Sequence, residues 1–168
     1  ASVSPPDQQR LDGLLARISR LQLDTSELHE RARKTWSARS VMSSPSRTGD
    51  ADPAVIAADQ YNRLIQELAV QRISLSVLQT ELFPKASSDF RAAAADAVVI
   101  AQQGILALPD GTIAKRSARA LLVEALLRSG DTNAAGEVLR TVRAAPESHS
   151  SPKWLALQVE YELAKGRI

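Results

Sequence analysis

The chain reads as an all-α protein of about six helices, and three observations predict it. Apolar residues recur at three- and four-residue steps through most of the 168 residues, the spacing that lines one face of an α-helix. Alanine and leucine supply much of a hydrophobic content of 44%, aromatic residues only 4%, a balance that suits closely packed helices better than sheets. No segment alternates over the length of a strand. Helix-capping residues stand where the apolar periods begin and end, so local and global signals agree.

The first helix starts at Ser4-Pro5-Pro6-Asp7: serine accepts a hydrogen bond as N-cap, proline loses nothing in the first turn, and aspartate favours the positive helix end. Leu11, Leu14, Ile18, Leu21, Leu28 and Ala32 then form one seam, with Thr25 as its polar member. Asp24 and Glu27 match an internal capping box, which predicts a break or kink near Leu23. Trp36 is expected to end the apolar face. Residues 40–53, rich in serine, proline, glycine and aspartate, are expected to form a mobile loop.

Asp52-Pro53 caps a second helix, expected to run to about Phe83, where Pro84 stops it. One stripe passes through Tyr61, Leu64, Leu68, Leu75, Leu78 and Leu82, another through Val70, Ile73 and Val77. Two stripes predict a central helix contacted on two sides. Ser87 or Ser88 caps the third helix, whose inner positions are Phe90, Ala94, Ala97, Ala101, Gly104 and Leu108. After a Pro109-Asp110-Gly111 turn, Thr112 caps the fourth helix and Gly130-Asp131 ends it. Asn133 to Ala144 makes the fifth helix, and Pro152 opens the sixth after a loop over 146–151.

The net charge is +2, with acidic residues spread among the basic ones. Such a mixed surface argues against a nucleic-acid footprint. Without cysteine there is neither a disulfide nor a thiolate metal site, and no apolar run approaches the ~18 residues of a membrane span. The chain begins at Ala1 and its one methionine is Met42; the opening ASVSPP suits a trimmed end or a mature terminus after signal removal. The expected compartment is therefore the cytoplasm or, in the second case, the periplasm. His29 and His149 have no carboxylate at ligand spacing, and no nucleophile elbow or phosphate-binding glycine loop occurs. The expectation is a non-enzymatic protein without metal or cofactor.

The last third resembles the tetratricopeptide repeat family, a helix-turn-helix unit of ~34 residues. Aligned on Gly130, the first-helix apolar positions of the family fall on Leu122 and Leu126, its small second-helix residue on Ala135, and later packing positions on Leu139 and Val142. Pro146 stands one residue late for the closing proline. Arg119 stands near the place of the family's large aromatic, and Trp154 and Tyr161 are each shifted by about one position in the second unit. With the apolar seams of the first two helices, the expected organisation is a helical hairpin over 1–83 packed on a repeat-like region over 84–168, of which the resemblance covers only the last third. The resemblance also implies binding of a partner peptide or helix in a groove formed by the third to sixth helices.

Lys115, Arg116 and Arg119 on the fourth helix, with Arg140 and Arg143 on the fifth, can form a basic strip in that arrangement; the alternative, the more favoured of the two, is solvated arginines balanced by Glu124 and Glu137. With Trp154 and Tyr161 they are the candidate partner-binding residues. Ala120 and Glu124 occupy the region where carboxylate-clamping repeats carry lysine and asparagine, so chaperone docking is not expected. Leu155, Val159 and Leu163 are expected to pack back on the fifth helix. Alanine- and arginine-rich usage resembles that of GC-rich bacteria, suggesting an assembly, secretion or regulatory adaptor. The rival expectations are homo-oligomerisation through the seams of the first two helices and, less favoured, nucleic-acid binding through the arginine strip.

Overall fold

The computed structural model describes residues 5–40, 53–85, 87–143 and 152–166. Six helices occur among them: α1 (Pro5–Ser40), α2 (Pro53–Thr80), α3 (Ser88–Ala107), α4 (Ile113–Ser129), α5 (Thr132–Arg143) and α6 (Pro152–Ala164). No described residue is in a strand. The predicted caps at Ser4 and Asp52, most of the loop over 40–53, and the loop over 146–151 with His149 lie outside the described residues. The side chains of Leu11, Trp36 and Arg143 do too.

Capping chemistry sets the inner boundaries. Phe90 N donates to Ser87 Oγ at 3.0 Å, which makes Ser87 the N-cap of α3. Lys115 N donates to Thr112 Oγ1 at 3.2 Å and opens α4. Gly130 closes α4 with φ of 85°, and Asp131 N donates to Leu126 O at 3.0 Å. Only a residue without Cβ takes this left-handed conformation cheaply. Asp131 Oδ1 then accepts from Ala134 N at 3.0 Å, so the stop of α4 is also the start of α5.

Two sequence expectations are corrected. Helix α1 runs unbroken through the predicted kink at Leu23. Thr25 Oγ1 donates to Leu21 O and Ser26 Oγ to Gln22 O, so these hydroxyls bond back into the helix and do not start a new one. Helix α2 ends at Thr80, short of Phe83. The amides of Leu82 and Phe83 donate to the carbonyls of Gln79 and Thr80 three residues back, which tightens and ends the helix.

α4 lies at the centre and touches α2, α3, α5 and α6, while α1 packs on α2. Ile73 and Val77 of α2, Ala97 and Ala101 of α3, Val123 and Leu126 of α4, Ala135 of α5 and Leu157 of α6 meet in one buried core. The alanines of α3 let its backbone approach its neighbours closely. A Cβ on Gly104 would fall 2.7 Å from Ile73 Cδ1, so α2 and α3 meet there as closely as glycine allows. The seam predicted for α3 is the buried one; α2 is contacted by α1 as well as by α3 and α4, but Leu64 and Leu78 of its first predicted stripe are 45% and 47% exposed, so that stripe is only partly covered.

Candidate functional site

The basic strip is largely engaged within the fold. Lys115 has a side chain only 13% exposed and its Nζ lies 2.9 Å from Asp110 Oδ1. That hydrogen bond, and then the charge of Lys115, hold the Asp110 carboxyl below the usual carboxylate range; desolvation opposes the shift and Arg119 adds to it. The pair ties the turn between α3 and α4 to the first turn of α4. Arg116 also has an interaction partner. Arg119 is half-buried, whereas Arg140 is exposed on α5, with Nε 3.4 Å from Gly136 O.

Trp154 and Tyr161 sit half-buried on the inner face of α6 and pack against the core beside Leu157. A Cβ on Gly136 would strike the Tyr161 hydroxyl and come within 2.9 Å of its Cζ, so the small residue of α5 is the floor on which that ring rests. Lys165 Nζ lies 4.8 Å from the ring centroid, within cation–π range. The two aromatic candidates thus hold α6 to α5 and α4.

With that row turned inward, Leu155, Val159 and Leu163 face outward, each more than half exposed. This corrects the expectation that they pack on α5. The helix carries apolar residues on both faces, and the aromatic row, larger and matched to the hollow over Gly136, takes the inner one.

Sequence reasoning missed the densest polar cluster. Arg128 of α4, with a side chain 20% exposed, reaches the end of α2. Its Nη1 donates to Val77 O at 2.9 Å and to Thr80 Oγ1, and its Nη2 to Glu81 Oε1 at 2.7 Å and Glu124 Oε1 at 2.6 Å. A guanidinium there meets the negative end of the α2 dipole and two carboxylates together. The Glu124–Arg128 spacing of four was the readable half of the cluster.

His29, placed by sequence on a charged face, is half-buried and lines a recess of about 80 Å³ between α1, α2 and α3 with Arg72, Gln103 and the apolar Ile73 and Ile100. Ligand pockets usually begin near 300 Å³; this recess has room for a few waters. Among the described residues no group of three or more His, Cys, Asp or Glu side chains is placed to hold a metal ion. Among the described residues no helix is long and apolar enough to cross a membrane. Comparison with protein-family models, curated proteins and solved structures finds no match to this chain.

Proposed function

We propose that this protein is a non-enzymatic scaffold or adaptor whose helices form a short tetratricopeptide-like stack that holds a helix or peptide of a partner protein. The observation that carries the reading is the two-faced α6. Its inner row is packed, and its outer row of Leu155, Val159 and Leu163 is exposed at four-residue steps. Residues four apart stand one turn above the next on the same helix face, a ridge against which an amphipathic partner helix can pack.

The order of contacts supports the same reading. Helices α2, α4 and α6 touch in succession, while α3 fits between α2 and α4, and α5 between α4 and α6. Stacked helix pairs build such layers because each pair covers its apolar face only with its neighbour. Exposed Arg140 on α5 offers a charged border to an acidic partner segment. The alanine- and arginine-rich composition suits a bacterial assembly, secretion or regulatory system.

The test is capture of partner protein by the full chain from bacterial extract, followed by assay of the purified pair. Val159→Asp is expected to weaken binding at least tenfold, and Arg119→Glu with Arg140→Glu to weaken it to a smaller, salt-dependent extent, while helicity stays unchanged. Partner binding that survives Val159→Asp would exclude the α6 surface. Binding that follows added nucleic acid and disappears with salt would point to the arginine strip as a nucleic-acid contact.

A further inference from the structure

A second exposed apolar row runs along the opposite end of the fold. Leu14, Leu21 and Leu28 succeed one another at seven-residue steps on α1, each 47–53% exposed, and Leu78 on α2 is 47% exposed. The hydrogen bond from Gln22 Nε2 to Gln79 Oε1 at 3.0 Å fixes the register of the antiparallel pair and places Leu21 beside the turn of α2 that holds Leu78.

Helix geometry puts both rows on one side of this hairpin. On α1 the packed face runs through Ile18, Thr25 and Ala32. At 3.6 residues per turn, Leu14, Leu21 and Leu28 lie on one flank of that face and His29 on the other. His29 lines the recess shared with α3, so the leucine flank points away from α3. On α2 the buried Ala69, Ile73 and Val77 face α3 and α4, and Leu75 and Leu78 lie round the opposite side. The leucines of α1 and α2 therefore border the same outer groove.

We propose that this leucine face is a self-association surface, occupied by the same face of a second copy of the chain. Three features favour a second copy. The first is extent: Leu14, Leu21, Leu28 and Leu78 are each 47–53% exposed with the half-buried Leu75 beside them, so the apolar face spans both helices of the hairpin. The second is shape. Two antiparallel helices offer a two-helix face, which a single foreign helix would cover only in part and an identical hairpin covers fully, as in four-helix bundles.

The third feature is charge. Arg17, Asp24 and Arg31 follow the leucine row at the same seven-residue step and alternate in sign. Laid antiparallel on itself about a two-fold axis at Leu21, α1 brings Leu14 level with Leu28 of the second copy and Arg17 beside Asp24 of the second copy. The border is complementary to itself, whereas a border of one sign would call for an oppositely charged stranger.

The experiment is sedimentation equilibrium of the full chain over a dilution series, with the α6 surface as an internal control. Dimers are expected in the micromolar range. Leu21→Gln with Leu78→Gln should raise the dissociation constant at least about 100-fold with unchanged helicity, whereas Val159→Asp and Leu106→Gln should leave it alone. Because the chain has no cysteine, Leu21→Cys gives a second readout that does not depend on weakening the fold. Residues on a two-fold axis meet their own copies, so this variant should oxidise to a disulfide-linked dimer much faster than Leu106→Cys. A monomer at every concentration, a dimer indifferent to the glutamines, or equal cross-linking of the two cysteine variants would each overturn the proposal. A dimer lost with Val159→Asp would instead place self-association on α6 and remove that face from the partner reading.

Discussion

Arg128 shows how one side chain joins parts of the chain far apart in sequence. Its donors meet a backbone carbonyl at the end of α2, the Thr80 hydroxyl and two carboxylates. Arg128→Met keeps much of the aliphatic stem but leaves Val77 O and Glu124 without their cation. The expected loss is about 2 kcal/mol in urea unfolding, the scale of charge-assisted bonds at a partly buried site. Adding Glu124→Leu to Arg128→Met should recover part of that loss, since the stranded carboxylate goes with it. Asp110 makes a smaller and pH-dependent contribution. Its carboxyl is held low by Lys115, so the stabilisation is fully present above the unfolded value of about 4 and is lost as pH falls through the lower folded value. The stability gap between wild type and Asp110→Asn should be level near neutrality and close progressively in acid. A gap that widens in acid would show that the carboxyl is raised.

At the scale of elements, the inner helices were legible because their signals are local. Ser87, Thr112 and Gly130 each act within four residues of where they stand, and the alanine row of α3 needs only helical spacing. The predicted kink in α1 failed because Asp24 and Glu27 look alike as a capping box and as solvated residues of a continuing helix. What decides between them is α2 lying alongside. The end of α2 was missed for a related reason: Arg128, its terminal partner, comes from two helices later. The two faces of α6 could not be ranked from sequence, because the hollow over Gly136 exists only once α5 is in place. Leu126 tests how far the helices depend on one another. It is 4% exposed within the core, and Leu126→Asp places an unpaired carboxylate there at a cost of at least about 4 kcal/mol. The melting transition of α3 to α6 should collapse as a unit; wild-type melting would show that α4 is not the central helix.

At the scale of the whole molecule, burial is uneven along α2. Every residue described as buried on it lies from Ala69 onward, where α3, α4 and Arg128 close around it. In the half that starts at Pro53, Ile56 and Leu64 are exposed and no described side chain is buried. Local opening needs only the contacts of the segment that opens, so one helix should hold amides with very different lifetimes. Deuterium should enter the amides near Ile56 to Leu64 by local fraying, and those of Ile73 to Val77 only when the whole molecule unfolds. Added denaturant separates the two: exchange at the core end should accelerate steeply, because a large surface must be exposed, while exchange at the outer end should scarcely respond. A dimer formed through the leucine face would slow local exchange along Leu14 to Leu28 of α1 as protein concentration rises, while the amides near Ile56 to Leu64, away from that face, should not respond, so exchange measured at two concentrations would register association residue by residue.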